Sequence, residues 1–331
     1  MGRLALIGAG AWGTGLAIAF SRAHAVGLWA RSPAQRAALA ATRRSAYLPE
    51  VELPSAVQVA EELPTLIAEA DLAIVATPTA GLREALESVR AVRPDLPVLW
   101  ACKGLEREEA LFPHAIAAMV MAPGVPRGVL SGPSFALEVA RGLPTALTLA
   151  SHDEAFARHW ARSLHQRTLR VYFSTDLVGV EVGGAVKNVL AIATGICDAL
   201  ALGNNARAAL ITRGLAEMTR LALALGGDAQ TCMGLAGAGD LILTCTGDLS
   251  RNRRVGLALG AGQSLADILA SLGHVAEGVS AARSVERIAR LHQVDMPITS
   301  AVCRVLDGSV SAAAAARQLL ERDPRGESSP D

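Results

Sequence analysis

The chain has 331 residues, more than one ordinary domain holds, so two domains are expected. Its 31 basic and 31 acidic residues give a formal net charge of zero, which argues against a nucleic-acid-binding surface. The five cysteines are an odd number without C-x-x-C spacing, so neither a disulfide framework nor a metal site is expected, and reduced thiols in the cytoplasm are favoured.

The N-terminal segment joins a short apolar run, Leu4–Ile7, to three glycines with Gly-x-Gly-x-x-Gly spacing. In a dinucleotide-binding turn Gly8 permits the tight turn, Gly10 lets the backbone approach a pyrophosphate, and Gly13 lets the following helix pack on the strand. The unpaired N–H groups and the dipole of that helix favour phosphate at its N-terminus. The segment therefore predicts a strand–turn–helix unit that binds a dinucleotide.

An alternative interpretation of the same segment is a signal peptide or a membrane span. Residues 4–21 carry no charge and follow Arg3, as such segments do. Four glycines within the run make a poor hydrophobic helix, and a second candidate strand, Ala25–Ala30, follows at the spacing of a nucleotide-binding fold. The nucleotide-binding interpretation is therefore preferred.

The end of the second candidate strand bears on the choice of coenzyme. A fold specific for NAD usually places an acidic residue there to bind the ribose 2′-hydroxyl. This chain has Arg31 and Ser32 instead, and an arginine can pair with a 2′-phosphate. The sequence therefore predicts NADPH as the preferred coenzyme, with NADH possible if Arg31 merely stacks on the adenine.

Up to about residue 175, short apolar runs alternate with helical patterns, which is typical of a mostly parallel sheet flanked by helices. The fold class expected is α/β, with a Rossmann-like dinucleotide-binding domain over residues 1–180. The candidate strands are Leu4–Ile7, Ala25–Ala30, Val57–Ala60, Leu72–Ala76, Val98–Ala101, Val129–Leu130, Ala146–Ala150 and Leu169–Phe173.

After residue 180 the strand patterns stop and Ala/Leu-rich segments predict an all-helical substrate and dimerisation domain over residues 181–320. The tail, residues 321–331, is polar and contains two prolines, so disorder is expected there. The candidate helices are Gly184–Leu202, Ala206–Leu225, Ser264–Leu272, Val279–His292, Pro297–Leu306 and Ala312–Leu320.

Ligands of a doubly wound sheet bind beyond the carboxyl ends of its strands, and three loops there carry polar chemistry. Ala101–Gly104 places Lys103 after one candidate strand. Ser131–Ala136 offers hydroxyls and a close backbone approach after another, and Thr77–Thr79 follows a third. Each could equally be an ordinary turn.

Lys187 is expected at the beginning of a helix that stays uncharged up to Asp198. Its helical neighbours three and four residues away include Gly183 and Gly184, and none of them can form an ion pair with it. The adjacent glycines would let a cofactor or another chain segment approach. The lysine therefore either projects into a ligand cavity or extends to solvent from a buried face, and a plain surface lysine is the remaining alternative.

A third cluster begins with the glycine-rich run Gly234–Ile242, but no strand precedes it, so a second nucleotide site is rejected. Asp240 within this run, and Ser250, Arg251 and Asn252 after it, suit hydrogen bonds to substrate hydroxyls and a phosphate. The alternative, a solvated basic helix start, fits Arg253 and Arg254 better than Arg251.

Taken in order, seven motifs resemble the bacterial NAD(P)-dependent glycerol-3-phosphate dehydrogenase family. The resemblance extends from residue 7 to about residue 280, and its ordered set of motifs is specific although each motif alone is weak. The motifs are Gly8–Thr14, Tyr47–Pro49, Cys102–Glu106, Ser131–Glu138, Gly183–Asn188, Gly237–Leu241 and Ser250–Arg253.

The resemblance implies reversible reduction of dihydroxyacetone phosphate to sn-glycerol 3-phosphate, which feeds glycerophospholipid synthesis, with Lys187 as the acid–base group. It implies a homodimer and no membrane insertion. Substrate contacts would come from Lys103, Gly132, Ser134, Lys187, Asp240, Ser250, Arg251 and Asn252. Coenzyme contacts would come from Gly8, Gly10, Ala11, Trp12, Gly13, Arg31, Lys103, Ala136, Arg251, Val275 and Glu277.

Two other functions remain open on the sequence. A β-hydroxyacid dehydrogenase would share the fold and a catalytic lysine but act on a carboxylate substrate. A non-catalytic nucleotide sensor would keep the N-terminal glycines but need neither Lys187 nor Arg251.

Overall fold

The computed structural model of the chain describes residues 2–272 and 276–321, and these divide into two units. The first unit contains the residues up to Lys103 together with Leu111–Val180. The second contains Gly104–Ala110 together with the residues from Glu181 onward. The expectations for Val275 and for the tail beyond residue 321 lie outside the described residues.

An eight-stranded sheet forms the centre of the first unit, in the order β10-β9-β8-β7-β6-β1-β2-β5. All neighbours pair parallel except β8 and β9, so β9 and β10 run opposite to the other six. The strands are β1 (Arg3–Ile7), β2 (Ala25–Trp29), β3 (Arg44–Ser45), β4 (Leu48–Glu52), β5 (Val57–Val59), β6 (Leu72–Val75), β7 (Val98–Trp100), β8 (Arg127–Ser131), β9 (Thr145–Ala150) and β10 (Leu169–Ser174).

The predicted mostly parallel sheet is confirmed, and all eight candidate strands are present. Strands β1, β6 and β7 are buried almost throughout, because helices cover both faces of the sheet, and this is why they read as continuous apolar runs. The helices of this unit are α1 (Ala11–Phe20), α2 (Pro33–Thr42), α3 (Leu63–Ala68), α4 (Leu82–Val92), α5 (Pro113–Val120), α6 (Ala136–Arg141) and α7 (Glu154–Leu164).

The hairpin of β3 and β4 was not predicted. It forms a separate two-stranded antiparallel sheet, in which Leu48 is buried and its neighbours Pro49 and Glu50 are exposed. A proline and two glutamates in a five-residue strand obscure the apolar alternation by which strands are recognised.

The second unit is helical in its described residues, as expected. Its helices are α8 (Leu177–Ala199), α9 (Gly203–Ala224), α10 (Ala229–Met233), α11 (Asp240–Thr246), α12 (Arg251–Gly260), α13 (Leu265–Leu272), α14 (Glu277–Leu291), α15 (Pro297–Leu306) and α16 (Ala312–Leu320), with a π-helical turn at Leu235–Gly239. The short elements between residues 229 and 260 were not predicted as helices, because glycines interrupt the apolar period there.

Helix α8 begins earlier than predicted, so Lys187 lies in its interior and not at its start. The Asp176 carboxylate accepts a hydrogen bond from the N–H of Gly179 at 2.8 Å, which caps the helix eleven residues upstream of the lysine. A Cβ on Gly183 would lie 2.4 Å from the carbonyl oxygen of Ala236. Gly183 therefore marks a close backbone contact inside the helix and not a helix boundary.

Length and apolar composition alone would allow α8 to cross a membrane. Its most apolar window has a mean hydropathy of 1.4. However, 94% of that window is buried inside the protein, as in the core helix of a globular unit.

The loop Gly104–Ala110 belongs to the second unit although the first unit surrounds it in the sequence. The guanidinium of Arg287, on α14, donates to the carbonyl oxygens of Glu108 and Glu109 at 2.8 and 2.7 Å. Two charge-assisted hydrogen bonds therefore attach the loop to a helix of the second unit.

Candidate active site

The turn between β1 and α1 has the geometry that its glycines predict. Gly8 has a φ of +116°, and a Cβ there would lie 2.8 Å from the carbonyl of Ala76. A Cβ on Gly13 would lie 1.9 Å from the carbonyl oxygen of Gly8, so this glycine allows the helix to contact the turn. Apart from its chain neighbours, no described residue lies within 4 Å of a Cβ on Gly10. The turn is thus tightly packed at two glycines and open at the third.

The N-terminus of α1 suits an anion. No side chain in the described part of the chain caps it, and its first turn contains no acidic residue, so its N–H groups and dipole can act on an approaching anion. Trp12 in this turn has its indole nitrogen buried without a hydrogen-bond partner among the described residues. An uncapped N-terminus, an open Gly10 and an unsatisfied buried donor together fit the phosphates of a dinucleotide.

A polar edge lies where β6, β7 and β8 end, since these neighbouring strands are parallel and their carboxyl ends meet at one side of the sheet. The Lys103 ammonium donates to the carbonyl oxygen of Gly132 at 3.2 Å, and the Ser134 hydroxyl donates to the same oxygen at 2.9 Å. The hydroxyls of Thr77 and Ser131 are buried there without a partner among the described residues. This edge therefore brings together three of the expected site residues and retains unused hydrogen-bonding capacity.

Arg31 extends from the end of β2 into solvent. Its side chain is 81% exposed and lies 3.8 Å from the carboxylate of Glu84, itself on the surface. Ser32 is not free in the same way, because its hydroxyl caps α2 by accepting from the N–H of Gln35. The ribose of a bound coenzyme is recognised at this position of the fold, and here the chain has an exposed guanidinium and no carboxylate between Trp29 and Ser32.

Ala136 begins α6 in direct contact with α1. A Cβ on Gly15 would lie 2.9 Å from the carbonyl oxygen of Ala136. The backbone of this expected coenzyme-contacting residue is therefore fixed against the helix that follows the glycine turn.

The second unit holds Lys187 in a buried polar cluster. Its ammonium donates to the carboxylate of Asp240 and, at 3.1 Å, to the hydroxyl of Thr244, which in turn donates to the backbone oxygen of Asp240 at 2.6 Å. The lysine and aspartate side chains are 8% and 1% exposed. Since no carboxylate neighbours Lys187 along α8, the sequence did not predict this ion pair, which joins residues from α8 and α11.

A chain of amide side chains runs beside this cluster. Asn252 donates to the side-chain oxygen of Asn188 at 2.9 Å and accepts from the N–H of Gly278 at 2.9 Å. The side-chain nitrogen of Asn188 also donates to the carboxylate of Glu277 at 3.4 Å. These bonds connect α8, α12 and α14 through buried polar groups, and they leave each side chain a fixed orientation.

The N-terminus of α12 presents Arg251. Ser250 caps the helix by accepting from the N–H of Arg253 at 3.2 Å, and Arg251 follows as an exposed first residue. Arg253 contradicts the expectation of a solvated cation, because its side chain is only 13% exposed and it donates twice to the carboxylate of Asp198. The two arginines point to opposite sides because positions two apart on a helix differ by about 200°.

The Cys245 thiol near the cluster is not a candidate nucleophile. Burial raises the pKa of the Cys245 thiol to about 12, so it stays protonated at neutral pH. All five cysteines, which fall within the described ranges, are buried and free of disulfides. No group of three or more His, Cys, Asp or Glu side chains in residues 2–272 and 276–321 could hold a metal ion.

The expected site residues thus fall into two sets, one in each unit. The first unit contains Gly8, Gly10, Ala11, Trp12, Gly13, Arg31, Lys103, Gly132, Ser134 and Ala136, and the second contains Lys187, Asp240, Ser250, Arg251, Asn252 and Glu277. Thr244 and Asn188 were not predicted as site residues. The former could have been found from its spacing, since it lies four residues after Asp240 and so on the same helical face.

Comparisons with known proteins cover nearly all of the chain. The N-terminal and C-terminal models of the NAD-dependent glycerol-3-phosphate dehydrogenase family match residues 3–157 and 176–317. Proteins named glycerol-3-phosphate dehydrogenase (NAD(P)+) from Aromatoleum aromaticum and Dechloromonas aromatica are 56% and 57% identical over 98% of the chain and 100% and 99% of their own lengths. A crystal structure of glycerol-3-phosphate dehydrogenase from Coxiella burnetii superposes with a TM-score of 0.92 at 39% identity, over 97% of this chain and 99% of that one.

Proposed function

The chain belongs to the NAD-dependent glycerol-3-phosphate dehydrogenase family, and on that premise we propose which of its residues carry out the reaction. The enzyme is an oxidoreductase that reduces dihydroxyacetone phosphate to glycerol 3-phosphate with a nicotinamide coenzyme, a step that feeds lipid synthesis. The alternatives of a β-hydroxyacid dehydrogenase and of a non-catalytic sensor are not favoured, since relatives matching over their full length carry the glycerol-3-phosphate dehydrogenase name.

The observation that carries the assignment of roles is the buried cluster of Lys187, Asp240 and Thr244. When bound, NAD(P)H supplies hydride for the ketone carbon, and charge then builds on the carbonyl oxygen. We assign Lys187 to stabilise that oxygen and to donate its proton to it. Asp240 and Thr244 accept hydrogen bonds from the ammonium, which restricts its orientation, and exclusion of water from the cluster strengthens each contact.

The first unit is assigned as the coenzyme domain. Its uncapped α1 N-terminus, open Gly10 and unsatisfied Trp12 indole nitrogen support binding of the coenzyme phosphates there. Lys103 and Ser134 are assigned to polar contacts with substrate, since both side chains converge on one carbonyl at the polar edge of the sheet. We further propose NADPH as the preferred coenzyme, on the exposed Arg31 and the missing acid beside it.

The second unit is assigned as the substrate and dimerisation domain, with the substrate phosphate at the start of α12. Arg251 is exposed at the first position of that helix, and the N–H groups of the first turn other than that of Arg253, which Ser250 caps, add donors for an anion. A planar guanidinium suits two phosphate oxygens at once. Ser250 and Asn252, which flank it and are buried, are assigned to substrate hydroxyl and phosphate contacts.

The purified chain tests the function directly. With NADPH, dihydroxyacetone phosphate should cause loss of coenzyme absorbance and yield glycerol 3-phosphate, whereas unphosphorylated dihydroxyacetone and small β-keto carboxylates should react far more slowly. Arg251→Ala should lower kcat/KM for the phosphorylated ketone, by an amount that corresponds to about 2–4 kcal/mol of activation free energy. The variant should also lose most of the preference for the phosphorylated ketone over dihydroxyacetone. Arg254→Ala, an exposed cation of the same helix, is the matched control.

Faster turnover of a carboxylate substrate would contradict the proposal, and so would an Arg251→Ala enzyme that still prefers the phosphorylated ketone. NADPH affinity must be measured in parallel, because Arg251 is also assigned a coenzyme contact.

A homodimer and a cytoplasmic location complete the proposal. Sedimentation of the purified chain tests the first, and the second is supported by the five cysteines, which form no disulfide and so suit a reducing compartment.

A further inference from the structure

Arg253 occupies the side of α12 that faces away from Arg251. Its Nε and one terminal nitrogen donate to a single carboxylate oxygen of Asp198, at 3.0 and 2.8 Å. The other terminal nitrogen donates to Asp248 at 3.0 Å, so all three nitrogens of the guanidinium make a hydrogen bond. The remaining oxygen of Asp198 accepts from Arg207 at 3.1 Å, which brings α9 into the same network.

These bonds are not those of an ordinary surface ion pair. The side chains of Arg253 and Asp198 are 13% and 14% exposed, so water competes only weakly for the pair of hydrogen bonds between them, which we call the fork. Asp248 is 96% exposed, and its contact contributes little. The stronger of the two contacts is therefore that of Arg253 with Asp198. It joins α12 to the end of α8, the helix that also carries Lys187.

The backbones of these two helices touch at the same place. A Cβ on Gly195 of α8 would lie 2.2 Å from the carbonyl oxygen of Arg253, and a Cβ on Gly256 of α12 would lie 2.0 Å from that of Ile192. This packing sets the separation of the helices, but glycines have no side chain that could fix the rotation of α12 at the contact. The hydrogen bonds from Arg253 to Asp198 and from Asn252 to Asn188 are the side-chain restraints between the two helices, and the first is the charged one.

We propose that Arg253 is a positioning residue that, through its fork on Asp198, fixes the first turn of α12 so that Arg251 and the turn's N–H groups meet the substrate phosphate. The proposal rests on the assignment of the phosphate to Arg251. In this proposal Arg253 does not bind substrate, because its guanidinium faces α8 and each of its nitrogens already donates to a carboxylate. One helix turn therefore carries two arginines with different tasks, one that binds and one that orients.

The test is a double-mutant cycle read by steady-state kinetics with dihydroxyacetone phosphate and with dihydroxyacetone. Arg253→Gln should raise KM for the phosphorylated ketone about tenfold, change kcat less than about threefold, and leave kcat/KM for dihydroxyacetone nearly unchanged. In an Arg251→Gln background the same substitution should have little further effect, because the group that Arg253 orients is gone. Arg253→Lys, which keeps the charge but loses the fork, should recover only part of the lost affinity.

Arg254→Gln provides the control for a lost charge on α12, and Asp198→Asn, which keeps one acceptor oxygen, provides a milder break of the same contact if Arg253→Gln folds poorly. Equal losses with both ketones, or a full Arg253→Gln effect persisting without Arg251, would overturn the positioning role. If Arg251→Gln alone leaves the preference for the phosphorylated ketone intact, the phosphate assignment fails instead, and the two failures are thus distinguishable.

Discussion

At the scale of single residues, the pairing of Lys187 with Asp240 has consequences for both stability and rate. Removing one member of a buried ion pair leaves the other charge uncompensated, at a cost of about 3–5 kcal/mol. A loss of activity in a lysine variant could therefore reflect damage to the fold, and an informative experiment has to remove both charges.

Lys187→Met should lower kcat at least about 100-fold, the usual effect of a positioned acid–base group, and should also lower the midpoint of thermal unfolding. The double variant Lys187→Met/Asp240→Asn should regain stability because neither charge remains buried, but it should stay inactive. Recovery of turnover together with stability would show that the lysine is only structural. NADPH titration of each variant checks that the coenzyme still binds.

Arg31 determines coenzyme preference if its exposed guanidinium pairs with the 2′-phosphate. Arg31→Glu should then shift the ratio of kcat/KM for NADPH to that for NADH by about tenfold or more towards NADH, the equivalent of one charge-assisted hydrogen bond. Arg167→Glu, an equal charge reversal at another exposed arginine of the first unit, should leave the ratio unchanged. A wild-type enzyme that uses both coenzymes equally well would contradict the role.

At the scale of elements, the turn before α1 contains one glycine needed for packing, Gly13, and one open to a ligand, Gly10. Gly10→Ala should change the free energy of unfolding by no more than about 1 kcal/mol, since its φ is −70° and its Cβ position is empty, yet it should weaken NADPH binding by obstructing the phosphates. Gly13→Ala should destabilise the first unit, because its Cβ would meet backbone at 1.9 Å. Thermal unfolding and coenzyme titration of the pair measure both effects, and unchanged affinity in Gly10→Ala would count against a phosphate site there.

Glu217 gives the second unit a pH-dependent contact. This buried carboxylate of α9 accepts from the N–H groups of Ile298 and Thr299 and from the Thr299 hydroxyl, and so caps the start of α15. Burial raises the pKa of Glu217 to about 7, against the opposing effect of those hydrogen bonds. The folded state therefore binds the proton more tightly than the unfolded chain, whose carboxyl has a pKa near 4.5.

It follows that the contribution of Glu217 to stability is fully present below about pH 4.5 and is lost as pH rises towards 7. Glu217→Gln should remove this part of the decline in unfolding free energy, on the order of 1–3 kcal/mol. Urea unfolding at several values of pH between 4.5 and 8 measures it, with the exposed Glu109→Gln as control. An identical slope in wild type and Glu217→Gln would refute the shift.

At the scale of the whole molecule, the parts that could be predicted from the sequence are those where the pattern is local. The eight strands of the large sheet are apolar runs bounded by turn residues, and the glycine turn carries its own spacing. Contacts between distant segments left no such signal. The partner of Lys187 lies 53 residues away in a helix that glycines obscured, and Arg253 was misjudged because its acceptor, Asp198, lies on another helix.

The loop Gly104–Ala110 belongs to the second unit but lies between two segments of the first in the sequence. This arrangement affects what recombination between two related genes of this family would produce. A single exchange near residue 180 between two related genes would not deliver each unit intact, because this loop would come from one parent and α14 from the other. Arg287, however, recognises main-chain oxygens of Glu108 and Glu109 and no side chain of the loop. A hybrid therefore keeps this attachment whatever residues the loop inherits, provided that its length is preserved.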